Sequence, residues 1–272
     1  MNRALVVVAP GPLTLVQDAG RPGLARWGVS PSGAADRASY RRANDLVGNA
    51  IGAAVLENVG GVRLRAVGDL WVAVSGAPCA VTVDGDPAVH DARIRLPDGA
   101  ELALEMAARG LRAYVGVRGG IDVAPVLESR SRDVLAALGP EPLRADDRLP
   151  LGPVEDAPWS PRTAHRRTWR EGVVELGAML GPRDDRVPGA DALLDGEWEV
   201  GAGTSRVALR LARPESSYAA TLAWDPAQEW PSEGVVRGAV QVPPSGLPVL
   251  FLADHPVTGG YPLVAVVLDA DT

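Results

Sequence analysis

Residues 62–104 read VRLRAVGDLWVAVSGAPCAVTVDGDPAVHDARIRLPDGAELAL, and this stretch decides the fold. Residues 62–67 alternate apolar side chains with Arg63 and Arg65, the period-2 pattern of a half-buried strand. Residues 70–75 form a nearly continuous apolar run, as in a strand covered on both faces. Residues 80–83 end at Asp84-Gly85, a strong hairpin-turn signal. Residues 93–96 and 101–104 flank the turn Pro97-Asp98-Gly99. Residues 111–117 close the series at Gly119-Gly120. Strands this short and this closely spaced predict an antiparallel barrel or sandwich and argue against a doubly wound sheet.

Working outward, residues 4–8 are an apolar run that reaches Pro10 and Gly11 almost at once. It has no cleavage site and reads as a strand, not a signal peptide. Residues 13–17 follow a Pro-Gly-Pro turn and read as another strand. Residues 35–47 carry a helical pattern, with Ser32 or Asp36 as the cap and Gly48 as the stop. Residues 132–138 predict a second, shorter helix. Residues 152–168 are Pro-rich and polar, a linker between an N-terminal domain at 1–152 and a C-terminal domain at 168–272. In the second half, 173–176, 207–211, 235–242, 247–252 and 263–268 are strand-like, and 190–194 reads as a short helix. No fixed-period repeat is visible, so a solenoid or propeller is not expected.

Composition narrows the function. Gly (31) and Pro (24) among 272 residues make the chain turn-rich, yet below the disordered range. The formal net charge is −7 and the pI about 5.1, which argues against a nucleic-acid binder. All 27 basic residues are Arg, so neither a Lys Schiff base nor a phosphate-loop Lys is available. A single cysteine, Cys79, rules out an internal disulfide and a Cys-rich zinc site. No metal site is expected. No window of about 18 apolar residues suggests a membrane span, and the expected setting is the cytoplasm.

The familiar catalytic signatures are missing: no nucleophile elbow, Walker loop or metalloprotease helix. Gly201-Ala202-Gly203 reads as a turn. His90, His165 and His255 lack ligand spacing and read as structural or surface residues. Cys79 reads as a buried, inert thiol. The densest polar chemistry lies in 11–61. Gln17-Asp18-Ala19-Gly20-Arg21 sets an amide, a carboxylate and a guanidinium on a tight turn. Ser32-Gly33-Ala34-Ala35-Asp36 leads into the helix, and Asn44, Asn49 and Glu57 follow. From the residues alone, capping and turn formation compete with ligand binding.

These motifs also carry a resemblance. Residues 13–23, Ser32-Gly33-Ala34-Ala35-Asp36 and Ala43-Asn44-Asp45-Leu46-Val47-Gly48-Asn49 resemble the urea-amidolyase-related family, also called allophanate hydrolase subunit 2 or the KipA-like carboxyltransferase A/B family. The match continues at Val117-Arg118-Gly119-Gly120-Ile121-Asp122-Val123, Ser129-Arg130-Ser131 and Gly181-Pro182-Arg183-Asp184-Asp185. It returns at Ser232-Glu233-Gly234, at residues 238–244 and at Thr258-Gly259-Gly260-Tyr261-Pro262, so it spans nearly the whole chain in order. The family often has Ser-Asp-Arg-Met-Gly where this sequence has Thr204-Ser205-Arg206-Val207-Ala208. Relatives usually continue past Ala270-Asp271, so the resemblance implies a second barrel lacking its last strand.

The resemblance implies a mainly β protein of two cyclophilin-like β-barrel domains with few short helices. It implies a KipI-like (allophanate hydrolase subunit 1) partner and, with a third LamB/YcsF-type protein, an ATP-dependent 5-oxoprolinase that opens a lactam. ATP is then used at the level of the complex, and the chain alone is inactive. A second reading is the carboxyltransferase part of urea carboxylase, which moves CO2 from biotin to urea; only there is biotin required. A third is a regulatory protein that antagonises a KipI-like kinase inhibitor, and a fourth a degenerate subunit. Either enzymatic reaction polarises the oxygen of a small cyclic amide or urea and needs donors aimed at developing charge. Arg21, Asn44, Asn49 and Arg118 are the expected donors, with Asp18, Asp36 and Glu57 as the carboxylates that orient them or accept a proton. Gln17, Ser32, Asp36, Glu57, Glu233, Gln241, Thr258, Gly259, Gly260 and Tyr261 are expected to shape the substrate pocket. Arg21 and Asn44 are expected to share one groove.

Overall fold

The computed structural model describes residues 3–154, 172–214, 222–225 and 231–268. The first eleven strands are β1 (Ala4–Ala9), β2 (Leu13–Gln17), β3 (Val55–Val59), β4 (Val62–Val67), β5 (Leu70–Gly76), β6 (Val81–Val83), β7 (Asp86–Ala88), β8 (Arg93–Leu96), β9 (Glu101–Leu104), β10 (Arg112–Val117) and β11 (Arg148–Pro150). Helix α1 (Arg37–Val47) lies between β2 and β3. There follow β12 (Ala178–Leu180), the short helix α2 (Asp191–Asp195), β13 (Glu199–Val200), β14 (Ala208–Ala212), β15 (Glu233–Gly234), β16 (Ala239–Gln241), β17 (Val249–Phe251), β18 (Thr258–Gly259) and β19 (Leu263–Val267). The protein is mainly β, and its named strands pair antiparallel throughout.

The chain divides into two compact units. The first comprises Met1–Arg21, Asp36–Asp133 and Ala137–Arg167; the second comprises Pro22–Ala35, Val134–Ala136 and Thr168–Thr272. The expected linker falls largely on 155–171, as does His165, outside the described residues.

The first unit holds two sheets, ordered β11-β1-β4-β9-β6-β7 and β2-β3-β10-β5-β8. Their inner faces supply one apolar core that includes Leu5, Leu56, Leu64, Val72, Leu96, Leu102 and Val115. Fully burying a side chain of this size contributes about 1.5–3 kcal/mol relative to leaving it in water. The alternation in β4 is realised as a buried–exposed pattern, with Arg63 and Arg65 both reaching Glu101 outside. The apolar run of β5 is buried on both faces because α1 covers it: Leu46 and Val47 pack on Ala73. Asp36 caps α1 by accepting from the Ser39 N–H at 2.9 Å, and Gly48 closes it in the left-handed conformation. The approach to β10 is so close that a Cβ on Gly116 would lie 2.6 Å from the Ala43 carbonyl oxygen.

Two sequence expectations are corrected. Residues 132–138 are not a helix: Asp133 and Leu138 form an isolated antiparallel bridge, and Ala137 has φ 55°, which a right-handed helix does not allow. Residues 173–176 are not a strand but an exposed irregular segment; their apolar side chains have no strand neighbour to pack on among the described residues.

In the second unit the main sheet is ordered β12-β19-β16-β17-β14-β13, beside the ribbon β15-β18. Leu193, Leu222, Val240, Leu250 and Val264 belong to its core. Two distant pieces of sequence join this unit through polar anchors. Asp254 accepts from the Ser32 hydroxyl at 2.6 Å and from the Val134 N–H at 2.9 Å. It also forms a two-pronged ion pair with Arg206, at 2.8 and 2.9 Å. Arg206 donates further to the Gly33 carbonyl, and Arg237 to those of Ala34 and Ala35.

Candidate functional site

The expected residues of the first unit fall into linked polar networks, all of them well packed. Asp18, at the end of β2, is buried. One of its carboxylate oxygens accepts from the Gly20 N–H (2.8 Å) and from the hydroxyls of Ser129 (2.7 Å) and Ser131 (2.6 Å). The other accepts from the Arg130 N–H at 2.6 Å. Arg21 donates to the carbonyls of Ser131 and Val126, and Gln17 to that of Arg132 at 2.8 Å. Gln17, Asp18 and Arg21 therefore grip residues 126–132.

Asn44 and Asn49 form a second network. Asn49 donates to the Asn44 side-chain oxygen and to the Val117 carbonyl, each at 2.8 Å, and accepts from the Gly119 N–H at 2.8 Å. Asn44 donates to the Ala53 carbonyl at 3.0 Å. Arg118 belongs to this turn; its N–H donates to the Trp71 carbonyl at 2.9 Å. Arg21 and Asn44 have different partners, and Tyr40 stands between their networks. Its hydroxyl donates to the same Ala53 carbonyl at 3.1 Å. Burial raises its pKa well above the ordinary phenol value, and the charge of Asp18 raises it further.

Glu57, on β3, is buried and accepts from the Tyr114 hydroxyl at 2.8 Å, with Arg112 at 3.3 Å. The same hydroxyl accepts from the Asp36 N–H at 2.7 Å. Burial first, then the charges of Glu57 and Asp36, hold the Tyr114 pKa well above its usual range. This buried relay ties the start of α1 to the sheet. Ser32 is elsewhere, in the second unit on Asp254.

The expected residues of the second unit do come together, and more of their surface is open. Glu233 pairs with Gly259 across the β15-β18 ribbon, and Gly234 with Thr258. Gln241 donates to the Tyr261 carbonyl at 2.9 Å, and its amide nitrogen would lie 2.6 Å from a Cβ on Gly259. Glu233 is ion-paired with Arg183. The Tyr261 ring is 6.2 Å from that of Trp224 and remains 45% exposed. Thr258 and Gly260 are exposed as well. The cluster thus offers a guanidinium, a carboxylate, an amide, a hydroxyl and a phenol beside an aromatic floor.

Sequence reasoning did not name several residues that build these arrangements. Ser129 and Ser131 were visible as part of a motif, yet their role depends on Asp18, more than 110 positions away. Arg183 also lies in one of the family-like motifs. Tyr114 and Asp254 carried no sequence signal: one sits in an apolar strand, the other before His255. An open groove on the outer face of the first unit is lined by Arg63, Asp84, Glu101 and Glu105 and contains none of the expected residues. Among the described residues no helix is long and apolar enough to cross a membrane.

Among the described residues the second-unit cluster contains no thiol or imidazole, and its carboxylate is matched to a guanidinium. Such a set of groups offers hydrogen-bond donors and acceptors to a small polar molecule. The family described as carboxyltransferase domain, subdomain A and B, matches residues 27–272, and the chain belongs to that family. It is 32% identical over 273 residues to a 5-oxoprolinase subunit from Escherichia coli (strain K12), across 98% of this chain and 85% of that protein. It is 30% identical to the urea amidolyase of Lachancea kluyveri, across 98% of this chain but only 16% of that protein. The crystal structure of TTHA0988 superposes with a TM-score of 0.87 at 35% identity, covering 99% of this chain and 53% of that one. The chain therefore spans about half the length of that solved relative.

Proposed function

We propose that this protein is one component of an ATP-dependent 5-oxoprolinase-type complex, which opens a lactam with a KipI-like (allophanate hydrolase subunit 1) partner and a LamB/YcsF-type protein. The observation that carries the reading is the likeness to a 5-oxoprolinase component along most of both chains. In this reading the cluster around Glu233, Gln241, Thr258 and Tyr261 receives the cyclic amide. Gln241 and the Tyr261 phenol orient its polar edge. Arg183 fixes Glu233 in place through their ion pair, so that the carboxylate accepts a hydrogen bond from the lactam N–H. Asp18, Arg21, Asn44 and Asn49 act as positioning residues that hold the surrounding turns. ATP is supplied at the complex, where phosphoryl transfer to the lactam oxygen activates the carbonyl for water. The lone chain is inactive, and its setting is the cytoplasm, where ATP is available.

The family match supports a second reading, carboxyl transfer from biotin to urea or a related amide. One experiment separates the two. The chain is co-purified with its KipI-like and LamB/YcsF-type partners, and ATP consumption is followed with 5-oxoproline and with urea plus a biotin carboxylase. Consumption driven by 5-oxoproline in the complex, and absent for the lone chain, is the expected result. Urea-dependent carboxylation without 5-oxoproline turnover establishes the second reading, and turnover by the lone chain overturns the role as a dependent component.

A further inference from the structure

Arg183 and Glu233 form an ion pair in the second unit, and neither spends all of its hydrogen-bonding capacity on the other. Each is held by its backbone. The turn after β12 is laced to β19: the Gly181 N–H donates to the Val264 carbonyl at 2.8 Å and that of Arg183 to the Leu263 carbonyl at 3.1 Å. A Cβ on Gly181 would lie 2.6 Å from the Leu263 carbonyl oxygen, so only glycine lets the turn approach the strand this closely. Glu233 is fixed by its ribbon pairing with Gly259, which the Val235 N–H extends by donating to the Val257 carbonyl at 2.9 Å. The two side chains therefore start from rigid bases on neighbouring elements.

One terminal nitrogen of Arg183 donates to one oxygen of Glu233. Among the described residues the guanidinium makes no other hydrogen bond, and its Nε is buried without an acceptor. The second Glu233 oxygen accepts no hydrogen bond among the described residues either. The two side chains are 35% and 23% exposed, so a solute reaches both. A guanidinium carries five N–H donors, and a carboxylate has acceptor sites to spare beyond one bond. A buried donor left without an acceptor is costly, so this arrangement calls for a further acceptor. Arg186 is paired with Asp185 at 3.2 Å, which leaves Arg183 as the guanidinium of the cluster. Glu233 offers an acceptor to an N–H, and the unspent part of Arg183 beside it offers donors to an anion. A ligand that satisfies both carries an N–H and an oxyanion close together. The guanidinium then serves both negative groups and offsets their repulsion.

We propose that Arg183 is the specificity-determining residue of this cluster: it selects cyclic amides that bear a carboxylate next to the ring N–H, binding that carboxylate while Glu233 accepts from the N–H. The inference rests on the 5-oxoprolinase-type reading for the placement of the lactam. It adds the group that separates 5-oxoproline from a plain lactam or urea. The probes are 5-oxoproline and 2-pyrrolidinone, the same ring without the carboxylate, each titrated calorimetrically into the purified full chain. Wild type should bind 5-oxoproline about tenfold or more tightly than 2-pyrrolidinone, the worth of a charge-assisted hydrogen bond. Arg183→Met should abolish that preference, with the loss falling on 5-oxoproline. Arg183→Lys, which keeps the charge, should retain part of it. Glu233→Gln should weaken both lactams, because both carry the N–H. The double variant Arg183→Met, Glu233→Gln should lack the preference as well; its return there would mean that Arg183 merely masks the Glu233 charge, and would overturn the proposal. No binding of 5-oxoproline by wild type at millimolar concentration, equal binding of the two lactams by wild type, or a preference unchanged in Arg183→Met also overturns it. Circular dichroism checks the fold; should Arg183→Met not fold, Arg183→Gln and Arg183→Lys decide. Turnover in the complex is read separately. Carboxylate-dependent binding without 5-oxoproline turnover refutes the functional reading alone, and turnover whose KM for 5-oxoproline is unchanged in Arg183→Met refutes this inference alone.

Discussion

Tyr114 and Tyr261 illustrate how differently the two units use the same chemistry. Tyr114 is fully buried, its hydroxyl shared between Glu57 and the Asp36 N–H. Tyr261 is 45% exposed, its ring against Trp224. The contrast extends to their neighbours. Asp18 is consumed by four donors from nearby turns, whereas Glu233 meets a partly exposed guanidinium. A dense polar motif in sequence therefore marks either a ligand site or a packed junction, and the count of satisfied bonds tells which. A carboxylate that already accepts four hydrogen bonds from backbone and hydroxyl donors has little capacity left for substrate.

Four measurements break or sharpen this contrast. The largest expected effect is in the anchor of the second unit. Arg206→Met leaves Asp254 buried without its guanidinium, and loss of one partner of such a pair costs about 3–5 kcal/mol. Urea unfolding of the variant should show a correspondingly lower midpoint; an unchanged midpoint would mean the pair is dispensable. Next, Asp18→Ala strands buried hydroxyl and N–H donors and should cost about 2–3 kcal/mol. Turnover in the complex at low temperature should survive where the variant remains folded, because the residue is a junction. Selective loss of turnover at full stability would move Asp18 to the substrate.

Glu233→Gln and Tyr261→Phe should behave in the opposite way. Their stability change should stay within about 0.5 kcal/mol, while kcat/KM of the complex falls about tenfold or more. Equal losses in stability and turnover would erase the distinction between the two regions. The smallest effect concerns the one thiol. Burial, then the charge of Glu105, pushes the Cys79 pKa from about 9 up to about 11. The native thiol stays protonated through neutral pH, so alkylation by iodoacetamide should be slow at pH 8 and accelerate only as pH approaches 11. Since the folded form holds this proton more tightly than the unfolded one, the shift reduces stability as pH rises above about 9. An alkylation rate at about pH 8 equal to that of a free thiol would show that the site opens.

Much of the first unit was legible because its signals are local. Alternation in β4, the apolar run of β5, the Asp84-Gly85 turn and the Asp36 and Gly48 boundaries of α1 each depend on a few neighbouring residues. The misread helix at 132–138 shows the limit: its propensity yields to the bridge between Asp133 and Leu138 and to the Arg132 guanidinium, which bonds the Ala137 and Gly139 carbonyls. The strand expected at 173–176 fails for the same reason, since an apolar run becomes a strand only when another strand pairs with it.

Sequence by itself determined the β class, the position of the long helix and the residue types that meet in the candidate sites. The chain also carries enough family signal to place those residues in order. Only tertiary structure decided which of them are spent on the fold. Asp18 meets Ser131 across 113 positions, and Ser32 meets Asp254 across 222. Hydrogen bonding depends on distance and direction in space, and nothing in the local sequence of either partner encodes the other's arrival.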